Sequence, residues 1–235
     1  MRYLKTLLLI SIVLITFISQ STYSQNINGQ IVYSAEFNMD NSKSLSMDSD
    51  KLLYILSFSS NESIFKKQDV LVNENDKKLG LVTIFAGNGI FYSNVKANER
   101  INQKEYYGEL FLVDYPLIKW ELTQEEKIIG KYSCLKATAV KYFKNRKGIT
   151  KEREVVAWYT TEIPVNFGPK EYDNLPGLIL ELQEGNLTFS ALKIELNLDS
   201  LVINKPIEGK KVSSEEYENI VKKLTQDFMK KHQNN

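Results

Sequence analysis

Residues 128–143 alternate between two faces, and a chain with that pattern must build on strands. Tyr132, Cys134, Lys136, Thr138 and Val140 fall on one side, and Leu135, Ala137, Ala139 and Lys141 on the other. A period of two residues is the mark of a β-strand. Shorter runs repeat it: 30–37, 53–60, 63–71, 81–86, 90–94, 105–113, 119–122, 155–161, 178–182 and 187–198 all read as strands. Turn residues separate them. Gly87-Asn88-Gly89, Asn145-Arg146-Lys147-Gly148 and Glu184-Gly185-Asn186 suit hairpins, because Gly and Asn tolerate positive φ. Residues 38–50 read as a polar loop and 73–78 as a charged turn. Many short strands joined by turns predict an antiparallel sheet, and no strand is followed by a Gly-rich loop and a helix. One helix is predicted. Ser213 and Glu216 form a capping box, and Tyr217, Ile220, Val221, Leu224 and Phe228 recur at helical spacing.

The N-terminus has a different character. Arg2 and Lys5 precede an almost wholly apolar run from Leu7 to Ile18, and small and polar residues follow to Ser24. That order predicts a cleavable export signal over residues 1–24, cut after Ser24. A retained membrane anchor is the alternative, but a span needs about 20 apolar residues. No cysteine lies near the cut, so no lipid anchor is expected. The mature chain then divides into a β domain over 25–212 and a helix and tail over 213–235 that belong to the same unit.

Counts of reactive residues exclude several chemistries. Cys134 is the one cysteine, so no internal disulfide forms, and a buried, inert thiol is expected. His232 is the one histidine and sits in the polar tail, which leaves neither a histidine-based triad nor a Cys/His zinc site. Without Arg2 and Lys5 the formal charge of +1 becomes −1, which argues against nucleic-acid binding. No cofactor, no metal and no membrane span after cleavage are expected.

The segment from Trp158 to Leu182 holds prolines 164, 169 and 176, so it reads as strand, stiff loop, tight turn and strand. Pro176-Gly177 at the centre of Leu175–Leu178 predicts a type II turn with positive φ at Gly177. Asn174-Leu175-Pro176-Gly177-Leu178-Ile179 resembles the motif that names the GLPGLI family of exported bacterial proteins, with Asn in place of the first Gly. Asn tolerates left-handed φ, so the backbone is expected to be the same. Ile118-Lys119-Trp120, residues 130–138, Ala157-Trp158-Tyr159, Ile163-Pro164 and Gly168-Pro169 also resemble the family pattern, in order, from about Leu112 to Leu198. The resemblance implies an exported protein of Gram-negative bacteria and supplies no catalytic residues. The strand order is also similar to a lipoprotein-carrier architecture. The expected fold is therefore mainly β (α+β): a strongly curved antiparallel sheet or half-open barrel with the C-terminal helix packed on it.

Two functions follow as expectations. In the first, the chain is a non-enzymatic, carrier-like module of the periplasm or extracellular space. It binds an apolar ligand or an envelope protein partner in an apolar cavity free of converging titratable groups. Trp158, Tyr159, Phe167 and Tyr172 would be its aromatic platform, and Leu175, Pro176 and Gly177 its rim loop; core anchoring and a purely structural turn are the plainer readings. In the second, paired carboxylates form a hydrolase site, with Glu162 and Asp173 as best candidates. Solvated strand edges explain Glu152, Glu154, Glu162, Glu171 and Asp173 more simply.

Overall fold

The structure, a computed structural model, describes residues 27–38, 52–68, 82–83, 85–87, 89–145 and 148–233. The signal segment and its cut, the 73–78 turn and nearly all of the 38–50 loop lie outside the described residues.

Among the described residues, six strands precede the middle of the chain: β1 (Gly29–Phe37), β2 (Leu52–Phe58), β3 (Glu62–Lys67), β4 (Ile90–Asn94), β5 (Glu99–Tyr106) and β6 (Glu109–Asp114). Five follow: β7 (Glu121–Ile129), β8 (Tyr132–Lys144), β9 (Thr150–Thr160), β10 (Leu178–Glu184) and β11 (Leu187–Leu196). Each set is a meander, and β1 joins them by pairing with both β2 and β11. A last strand, β12 (Lys210–Ser213), leads into the helix α1 (Ser214–Gln233). The twelve strands form one sheet in the order β12-β6-β5-β4-β3-β2-β1-β11-β10-β9-β8-β7, not closed into a barrel.

The connection between the meanders forces the sheet to curl. Ten strand spacings of about 4.8 Å would set β6 and β7 roughly 48 Å apart in a flat sheet. The chain from Asp114 to Glu121 reaches about 25 Å at most. The two ends of the sheet therefore approach each other across a gap.

The inner face carries the core. Ile31, Tyr33 and Ala35 of β1, Leu52, Tyr54, Leu56 and Phe58 of β2, and Phe65 of β3 are buried on it. Tyr54 stacks on Phe65 at 5.2 Å, and Phe189 meets both edge-on. Phe111, Val113 and Val212 form a smaller cluster with Tyr217 and Ile220, which seats the first half of α1. Tyr33 adds a polar tie, its hydroxyl donating to the Ile179 carbonyl at 2.5 Å. Replacing it by Phe removes this bond to a buried carbonyl oxygen. Tyr33→Phe is expected to lower unfolding free energy by about 1–3 kcal/mol in a urea melt; an unchanged midpoint would show the tie to be idle.

Several expectations change. The sheet is mixed, because β12 runs parallel to β6. Residues 105–113 are a hairpin and not one strand, turning at Tyr107 and Gly108 with φ of 52° and 80°. Val82, Thr83, Phe85 and Ala86, expected in a strand, are helical. The long strand begins at Tyr132, because Gly130 turns the chain at φ 60° and residues 128–129 belong to β7. The turn at Pro176-Gly177 is not type II: the left-handed residue is Asn174 at φ 70°, and Gly177 is absent from the positive-φ positions. The capping box stands as expected, with Ser213 N donating to Glu216 Oε2 at 2.8 Å and Glu216 N to Ser213 Oγ at 3.2 Å. Cys134 is buried and free, and burial pushes its thiol up to about 11.

Candidate functional site

The proline-rich segment lies inside the curl and not at its rim. Ile163, Val165, Phe167, Tyr172 and Leu175 are all at most 2 % exposed. The loop fastens to itself and to β10: Leu178 N donates to Ile163 O, Ile179 N to Phe167 O, and Asn174 N to Asn166 O. From the first meander, Arg100 Nε and Ser93 Oγ donate to the Asp173 carboxylate at 2.8 and 2.6 Å. Trp120 Nε1 donates to Asp173 O at 2.8 Å and ties the crossover to the same point. The segment is a plug that joins both halves of the sheet. Apolar side chains spaced along a stiff backbone made it suited to burial.

The candidate residues fall in different places. Tyr159, Phe167, Tyr172 and Leu175 are buried core, Gly177 is buried, and Pro176 is exposed. Trp158 is half-buried on the outer face, with Lys127 Nζ 4.4 Å above its ring. These side chains form no common platform. Glu162 is exposed and accepts Ser133 N–H, whereas Asp173 is buried in its ion pair. Glu171 also departs from the solvated reading: its side chain is only 5 % exposed.

Beside the plug lies an open cleft of about 1630 Å³, set in the gap that the sheet leaves. Asn102 and Lys104 of β5, Tyr115, Lys141 of β8, Glu171 and Tyr217 of α1 contribute to its lining. The expected apolar cavity is thus replaced by one in which titratable groups converge. Sequence reading missed this because Lys104, Lys141 and Glu171 come from distant segments and none carries a motif.

A buried ion cluster underlies the cleft, whose lining includes Lys141, Lys170 and Glu171 of the cluster but not Glu184 or Arg153. Glu184 of β10 accepts from Lys141 at 3.2 Å, Arg153 at 2.9 Å and Lys170 at 2.6 Å. Lys141 also donates to Glu171 at 2.5 Å. Burial pushes both carboxyls up, but the lysines outweigh it and hold each below its ordinary value. Glu171 Oε2 and Asn102 Oδ1 are buried acceptors without a donor, and both residues line the cleft.

Lys104 differs from the other cations. Its Nζ donates to Tyr115 Oη at 2.7 Å and lies 4.4 Å above the Tyr217 ring. Among the described residues no carboxylate is within ion-pair distance of it. Burial pushes its ammonium down to about 8; Glu171 opposes that, and Lys141 and Lys170 add to it. The described residues hold no group of three or more His, Cys, Asp or Glu placed for a metal ion, and no helix long and apolar enough to cross a membrane.

The comparisons agree with this architecture without assigning an activity. A family model described as a protein of unknown function (Porph_ging) matches residues 143–181, the stretch that contains β9 and the plug. Two solved structures of a protein named PNGF-II, in P21 and C2 crystal forms, each share the fold at TM-score 0.53 and 16 % identity. Each comparison covers 83 % of this chain and 33 % or 32 % of the other, so the chain spans about a third of that protein's length. No curated protein matches the sequence.

Proposed function

We propose that this chain is an exported, non-enzymatic binding module of the cell envelope, of GLPGLI type, whose open cleft holds a protein partner. One observation carries the reading: Lys104, without a contacting carboxylate among the described residues, lines one preformed cleft together with Asn102 and Glu171, each of which holds a buried acceptor without a donor. Buried polar groups are ordinarily satisfied, and sites that await a ligand are a common exception. The N-terminal signal pattern supports export. Of the two occupants expected, an apolar ligand suits this lining poorly, because it would complete the burial of the Lys104 ammonium without supplying a carboxylate partner. The carboxylate hydrolase draws no support from the acids of the ion cluster. Glu171 and Glu184 are held ionised by their lysines, and an ionised carboxylate has no proton to give a leaving group.

Photo-cross-linking tests the reading. A benzophenone side chain at Leu117, on the cleft mouth, is compared with one at Val202, which is 74 % exposed on the 197–209 segment. Irradiation of producing cells is expected to give a discrete protein adduct from Leu117 and none from Val202, in an envelope fraction. Equal adducts from both positions, or none from Leu117, overturn the proposal; a lipid adduct from Leu117 alone transfers it to an apolar ligand.

A further inference from the structure

The cleft exposes an unpaired strand edge. β8 pairs with β9 from Leu135 to its end at Lys144. Its other side pairs with β7 only as far as Thr138, opposite Glu121. Upstream of Glu121 the crossover peels away, because Trp120 turns inward to the Asp173 carbonyl. Among the described residues no strand pairs with residues 139–143 on that side, and all five line the cleft.

The direction of the free backbone groups follows from the ladder. Glu154 O accepts from Gly185 N, so even residues of β9 face β10 and odd ones face β8. Val155 stands opposite Ala139 and Arg153 opposite Lys141, so odd residues of β8 face β9. Lys136 O, which accepts from Thr123 Oγ1 of β7, confirms that even residues face the other way. The N–H and C=O of Val140 and Tyr142 therefore point into the open side, and no backbone bond among the described residues reaches them.

We propose that an extended peptide segment of the partner adds to the Val140–Tyr142 edge of β8 as a further strand, and that an acidic side chain on its inner face pairs with Lys104. This rests on the binding-module reading and names its mode. A free edge is a template for strand addition, with backbone bonds giving affinity and inward pockets giving selection. Charge selects the inward residue. Within the buried ion cluster Lys141, Arg153 and Lys170 are paired with Glu171 and Glu184, whereas Lys104, which shares the cleft with Glu218 of α1, has no carboxylate in ion-pair contact among the described residues.

The probe is a phage-displayed library of random nine-residue peptides, selected on the mature protein and followed by synthesis of the enriched sequences. Enriched peptides are expected to carry Asp or Glu. Val140→Pro, which removes a cleft-facing N–H and leaves the β9 ladder whole, is expected to weaken their binding at least tenfold, while Val140→Ala retains it. Lys104→Met is expected to abolish the preference for acidic peptides. On the wild-type protein, methylating peptide amides one at a time is expected to weaken binding at every second position. An unchanged affinity in a folded Val140→Pro variant, a methylation scan without that alternation, or no enriched peptide each overturns strand addition. In any of those cases a cleft-specific protein adduct from Leu117 leaves the binding-module reading standing, and its absence removes both.

Discussion

Alanine at Gly177 is expected to destabilise the protein by about 4 kcal/mol or more, which lowers the melting midpoint by about 10 °C in a domain of this size. The cause is space and not φ. A Cβ on Gly177 would stand 2.1 Å from Thr160 O and 2.6 Å from Thr160 C. Both atoms are backbone at the end of β9, so no side chain can turn aside. The clash can be relieved only by separating the plug from β9, and Leu175, Leu178 and Ile179 are fully buried next to it. Asn174→Gly is the control. Asn174 already occupies φ 70°, so Gly fits there without strain and the midpoint should move by only a few tenths of a kcal/mol. If Gly177→Ala melts with the wild type, the plug does not press on β9 as described.

The same two positions show what could be read from the chain and what could not. Asn174 in left-handed backbone was legible, because few ordinary residues tolerate that region and the motif demanded one that does. Gly177 was legible as necessary but for the wrong reason: a tight turn and a close backbone approach both require Gly, and only the fold distinguishes them. The strands β8, β10 and β11 and the capped helix carried their own periodicity, which is local information. The β5–β6 hairpin did not: Gly108 is a turn residue, but it stands alone in a strand-like run and Tyr107 beside it, at φ 52°, gives no such signal. Least legible was the inside. Ile163, Val165 and Phe167 alternate among prolines and read as a loop, yet they fill the concave face, since a sheet curled by a short crossover needs a plug. Lys104, Lys141 and Glu171 look like ordinary surface charges until strands distant in sequence bring them together.

That convergence has a measurable consequence at Glu184. Its side chain is 2 % exposed and accepts from three cations. Glu184→Gln removes the charge that compensates Lys141, Arg153 and Lys170, and leaving buried charge unpaired costs about 3–5 kcal/mol. Combining it with Lys170→Met, which removes a cation only 8 % exposed at its side chain, is expected to recover part of that loss. The pH dependence has a fixed sign. Burial raises the Glu184 carboxyl, but Lys170 and Lys141 lower it by more, so that it lies well below its ordinary 4.5. A depressed carboxyl contributes stability in full above the unfolded value and loses it as pH falls through the folded one. Glu171 acts in the same direction. Wild-type stability in urea should therefore hold from pH 7 to about 5 and fall steeply below about 4.5. Glu184→Gln should begin lower and fall less steeply, so that the two curves converge in acid. Parallel curves for the two proteins would mean that the Glu184 charge is not what holds the lysines of the ion cluster.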